Sequence, residues 1–119
     1  MSAQADALLG DALSFVAKYH QSVALLQDNR GWSLSIALIA TDSQEAVWLR
    51  VDDGRAVEVK PLCAPSDIVV RAELEVLRDI LRLERLPNEP YLFGELTVQG
   101  PEPDFLRLDY ILTSLAGAA

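Results

Sequence analysis

Apolar side chains at Leu8, Ala12, Phe15/Val16, Tyr19, Val23 and Leu26 recur every three or four positions, which predicts one amphipathic helix over about residues 3–27. Gly10 costs a helix roughly 1 kcal/mol relative to alanine, so the regular part is expected from Asp11. The period then shortens to two. In "WSLSIAL", Trp32, Leu34, Ile36 and Leu38 share one side; in "AVWLRV", Val47, Leu49 and Val51 oppose Trp48 and Arg50. "DDGR" is a hairpin signal because Asp-Gly tolerates the positive φ of a tight primed turn. "AVEVK" follows, with Val57 and Val59 expected on one side and Glu58 and Lys60 on the other. These three segments predict an antiparallel meander.

"DIVVRAE" supplies a fourth strand, with Ile68, Val70 and Ala72 on one face. "ELEVLRDILRLERL" returns to the helical period through Leu74, Val76, Leu77, Ile80, Leu81 and Leu83, and Pro87 is expected to end it. "PNEPYLF" has room for one helical turn. "ELTVQ" is a fifth strand, and "PEPDFLRLDYILTSL" a last helix with Phe105, Leu108, Ile111, Leu112 and Leu115 on one side. Its prolines and acids suit a helix N-terminus. A sheet with one apolar and one polar face must gather its helices on the apolar side. The order therefore predicts an α+β fold, a two-layer sandwich, as a single domain over 1–119 with its sheet-and-helix body over about 31–116.

At 119 residues the chain is long enough to bury a core, and half its residues are apolar. A net charge of −8 argues against nucleic acid, which requires Lys and Arg to displace counterions. It also disfavours general adhesion to anionic membranes. The N-terminal "MSAQADALLGDALSFVAKYH" lacks a cationic region and carries Asp6 and Asp11, unlike a signal peptide. No uncharged run approaches the ~20 residues of a membrane span, so no stable membrane insertion is expected. Cys63 is the sole cysteine, which excludes an internal disulfide and a one-chain thiolate zinc site. A cytoplasmic location is expected.

"GWSLSIAL", "VWLRVDDGRAVEV", "APSDIVVRAELEVLRDIL" and above all "YLFGELTVQG", in this order and spacing, resemble the sterol carrier protein type 2 domain family. The resemblance runs from about Gly31 to Leu115. Pro101 departs from the Asp or Asn usual after the second glycine of the signature, and "RLERLPNEP" is charged where a glycine is frequent. The resemblance implies a five-stranded mixed sheet with helices packed on one face. It also implies an apolar cavity between the layers, closed by the last helix, with no catalytic group, metal or cofactor.

On this basis Leu77, Leu81, Phe93, Phe105, Leu108, Ile111 and Leu112 are the candidate binding residues for a hydrophobic small-molecule ligand: a sterol, fatty acyl chain or isoprenoid. The bland alternative is that they simply fill a core. A ligand cavity implies a void of about 300 Å³ or more. Tyr91, Leu92 and Phe93 would then lie against the apolar side, with Gly94 redirecting the backbone. Arg78, Arg82 and Arg85, with Arg71 upstream, form a cationic stripe that Glu75 and Asp79 are spaced to neutralise. Trp48 falls by parity on the polar face, where the indole either makes a homodimer or protein-partner contact or packs against a neighbouring loop. His20 has no orienting acid or nucleophile motif and is expected to be non-catalytic. Cys63 is expected to be a small buried filler, Asp52 and Asp53 turn residues, and Gly94 and Gly100 no phosphate loop. The rival function is an accessory or interaction module with a filled pocket, supporting a lipid, quinone or steroid pathway.

Overall fold

A computed structural model describes residues 7–62 and 64–117. The elements are α1 (Ala7–His20), α2 (Val23–Asp28), β1 (Leu34–Ala40), β2 (Ala46–Asp52), β3 (Arg55–Lys60), β4 (Ile68–Ala72), α3 (Leu74–Leu81), α4 (Asn88–Leu92), β5 (Leu96–Gln99) and α5 (Glu102–Gly117). The five strands form one mixed sheet in the order β3-β2-β1-β4-β5. The β1–β4 pair is parallel and the other pairs are antiparallel. Helices pack on one face, giving the expected two-layer α+β sandwich.

The apolar face is built by parity. Leu34, Ile36, Leu38 and Ala40 of β1, Val47, Leu49 and Val51 of β2, and Ile68, Val70 and Ala72 of β4 are all buried. Leu8, Ala12, Phe15 and Tyr19 of α1 and Val76, Leu77, Ile80 and Leu81 of α3 cover them. One expectation of parity fails in β3. Its register with β2 shifts between Arg50 and Val51, so that Glu58 faces Arg50 but Ala56 faces Val51. Val57 is the extra residue of this bulge and is exposed, while Ala56 takes the inward position.

The first helix differs from its expected form in two ways. It already runs through Gly10, from Ala7, rather than starting at Asp11; the stretch before Ala7 lies outside the described residues. It also breaks at Gln21–Ser22. Ser22 adopts an extended conformation (φ −91°, ψ 99°) and its hydroxyl accepts from the Leu25 N–H at 3.3 Å, capping a separate α2. The helical phase resets there, so Leu25 is buried and Val23 is exposed. The helix after β4 stops at Leu81, well before Pro87, because Leu83 takes a positive φ of 62°.

Polar contacts fix the helices to the sheet. The buried Glu45 carboxylate accepts from the Leu8 N–H at 2.9 Å, placing negative charge on the open amides of the first turn of α1. Arg78 of α3 pairs with Asp11 of α1 at 2.7 Å, and this pair pushes the guanidinium pKa up further. Asp53 and Gly54 (φ 51° and 78°) form the expected hairpin turn. A Cβ on Gly54 would lie 2.5 Å from the Asn29 carbonyl oxygen.

Two measurements check this frame. Gly54→Ala adds both a strained φ and a backbone clash, and is expected to destabilise by about 1–3 kcal/mol in urea unfolding. His20 accepts from the Ala56 N–H through Nε2 at 3.2 Å, which only the neutral ring can do. Burial, and then the Arg55 guanidinium, hold its pKa below the ordinary value. The unfolded chain therefore binds this proton more readily. Stability from this group is complete above about pH 6.5 and falls as the pH drops from there towards the folded pKa. A His20→Gln variant should lose that part of the pH dependence in urea titrations.

Candidate functional site

Between sheet and helices lies a cavity of about 90 Å³. Its floor is Ile36, Leu38, Leu49, Val51, Ala56, Val70, Leu96 and Val98 from all five strands. Its walls come from Phe15, Val16 and Tyr19 of α1 and Leu77, Ile80 and Leu81 of α3. Phe105, Leu108, Ile111 and Leu112 of α5 close it. The lining is apolar because each strand turns the same parity inward and each helix its stripe. The void is smaller than the expected 300 Å³, because side chains from the three helices already occupy most of the space between the layers.

Two lining residues carry polar atoms, and both are bonded elsewhere. The Tyr19 hydroxyl donates to the Gly54 carbonyl at 2.6 Å and accepts from Asn29 Nδ2 at 3.1 Å. Burial pushes its pKa up, against the lowering influence of Asn29, Arg107 and Arg55. Trp32 Nε1 donates to Asp104 Oδ1 at 3.1 Å. A water in such a space would lack the two to four polar partners it needs.

Six of the seven candidate residues, Leu77, Leu81, Phe105, Leu108, Ile111 and Leu112, converge on this cavity. Phe93 does not. The turn expected to fold over the apolar side points outward, with Leu92 78% and Phe93 75% exposed. Only Tyr91 reaches back, its ring 5.6 Å from that of Phe105. Gly94 does reverse the chain, at φ 76°. The lining contributed by Phe15, Val16 and Tyr19 went unread because the same periodicity marks an ordinary core helix.

The polar end of the site was not legible either. Arg107 donates to Asn29 Oδ1 at 2.8 Å and to the Asp28 carbonyl at 3.2 Å, and its guanidinium lies 5.7 Å from the centre of the Trp32 ring. Together with Trp32–Asp104, this ties the first half of α5 to the α2–β1 turn. Over the rest of α5 only Ile111 and Leu112 are buried, so the helix is moored at one end and held elsewhere by a few apolar contacts.

The other candidates resolve as follows. Arg78, Arg82 and Arg85 lie 3.8, 2.9 and 2.8 Å from Glu75, Asp79 and Glu95, a salt-laced face. Trp48 lies on the polar face as expected, but half-buried rather than exposed, in register with Ala37 and Lys60. Its Nε1 is buried without a hydrogen-bond partner among the described residues. Cys63 falls outside the described residues. Among those described, no group of three or more His, Cys, Asp or Glu is placed to hold a metal ion, and no helix is long and apolar enough to cross a membrane.

No protein-family model matches the sequence, and no curated protein matches it either. Solved structures do. A crystal structure of sterol carrier protein 2 superposes with a TM-score of 0.68 at 20% identity, covering 90% of this chain and 93% of the other. The ubiquinone synthesis protein UbiJ-SCP2 gives 0.69 at 16% identity, covering 91% and 94%. Palmitated sterol carrier protein 2-like 2 from Aedes aegypti gives 0.65 at 16%, covering 94% and 95%. With backbones agreeing over nearly the full length of each chain, the protein has the sterol carrier protein 2 fold.

Proposed function

We propose that this chain is a non-catalytic carrier that holds a hydrophobic, lipid-like ligand of sterol, fatty acyl or isoprenoid type between α5 and the sheet. The observation that carries this reading is the cavity itself, whose lining offers no free polar atom. Atoms facing a dry void forfeit dispersion contacts. An apolar guest restores them and gains about 0.8 kcal/mol for each CH₂ taken from water. A volume of about 90 Å³ holds only part of a lipid chain, so uptake requires α5 to swing outward about its moored end. Leu77, Leu81, Phe105, Leu108, Ile111 and Leu112 are the proposed contacts. The fold shared with a palmitated protein supports the reading.

A second reading draws on the size of the void. A space well below the ~300 Å³ of ordinary ligand sites suits an accessory module whose pocket is largely filled. The partly exposed Trp48 ring on the polar face of the sheet then offers a contact for a second copy or another protein.

Native mass spectrometry of freshly purified protein, with titration of a fluorescent fatty acid analogue, tests the first reading. Bound lipid and saturable uptake are expected. Leu108→Trp, which fills the void, should weaken uptake at least about tenfold, or about 1.4 kcal/mol, with an unchanged unfolding midpoint. A lipid-free protein that takes up no probe would sink the carrier reading. Under the second reading, size-exclusion chromatography shows an assembly that Trp48→Glu disrupts and Trp48→Phe weakens, while both variants stay folded.

A further inference from the structure

We infer that the Leu92–Phe93 turn is a reversible anchor for a zwitterionic, electrically neutral phospholipid surface. Both side chains are more than two-thirds exposed, at 78% and 75%. Hydrogen bonds impose this exposure. The Phe93 N–H donates to the Glu89 carbonyl at 3.1 Å and the Glu95 N–H to the Pro90 carbonyl at 2.8 Å, so the turn cannot fold its apolar tip inward without breaking them. Pro90, at the base of the tip, is buried.

The turn is also continuous with the cavity wall. Pro87, just before α4, lines the cavity, and Tyr91 packs on Phe105, which closes it. A convex apolar tip suits a deformable hydrocarbon phase, whereas a folded protein would have to supply a matching pocket. Charge selects among membranes. Arg85 and Glu95 neutralise each other at 2.8 Å. Glu89 and Glu102 have no cation within 4.0 Å among the described residues, so the rim carries uncompensated negative charge and is repelled by anionic headgroups. The anchor would set the α4–α5 mouth against the bilayer from which a lipid ligand leaves. Its purpose rests on the carrier reading; its measurement does not.

Flotation of ligand-free protein with phosphatidylcholine vesicles tests the anchor directly. Co-flotation is expected, and admixture of phosphatidylserine should reduce it. Leu92→Ser and Phe93→Ser should each weaken the vesicle partition about tenfold, and the double variant about a hundredfold. The double variant should keep the wild-type unfolding midpoint and its uptake of a soluble fluorescent fatty acid. Wild-type protein that stays with the buffer, or a double variant that floats as well as wild type, overturns the anchor even if probe uptake is normal. Stronger flotation on phosphatidylserine vesicles also overturns it, as does a double variant that loses a protein partner but no vesicle binding. Vesicle binding without probe uptake would instead leave the anchor standing and remove the carrier reading.

Discussion

Everything in this molecule follows from a sheet with one greasy side. Residues alternate across a strand, so the inward set of each of five strands is fixed once its register is fixed. Where β3 would have put Val57 inward, the bulge opposite Arg50 and Val51 removes it and seats Ala56 instead. The small side chain there is part of the cavity floor. A core packed to ordinary density would leave no such void. It lies where α1, α3 and α5 together roof the sheet.

The two ends of that roof are fastened differently. At one end, Asp11–Arg78 joins α1 to α3 and the Glu45 carboxylate takes the Leu8 amide, both partly or fully out of water. At the other, Tyr19, Asn29, Gly54 and Arg107 form a chain of hydrogen bonds linking α1, the α2–β1 turn, the β2–β3 hairpin and α5. Satisfied buried polar groups of this kind give geometry more than stability. Among the described residues, the side-chain hydrogen bonds of α5 to the rest of the molecule all lie in its first half.

Much of the fold was legible in the sequence. The alternation in β1, β2 and β4, the Asp53–Gly54 turn and the inward stripe of α5 each followed from local periodicity. What escaped was set by contacts distant in sequence or by single side chains. The break at Ser22 depends on one hydroxyl capping Leu25, within an apolar period that looked unbroken. The pairing of Arg107 with Asn29 spans most of the chain. Phe93 was misplaced because hydrophobicity alone assigns an aromatic to the interior, and the bonded turn at Glu89 and Pro90 overrides it. Cavity volume, finally, is a sum over many rotamers that no pattern encodes.

The parallel pairing of β1 with β4 sits at the centre of the sheet, and the whole β2–β3 hairpin intervenes between these partners along the chain. Antiparallel neighbours can zip from a tight turn, whereas such a crossover must wait for distant segments to find each other. The lining of the hollow comes from the meander as well as from β4 and α3, so it is complete only when they have joined. The hollow therefore exists only in the completed topology.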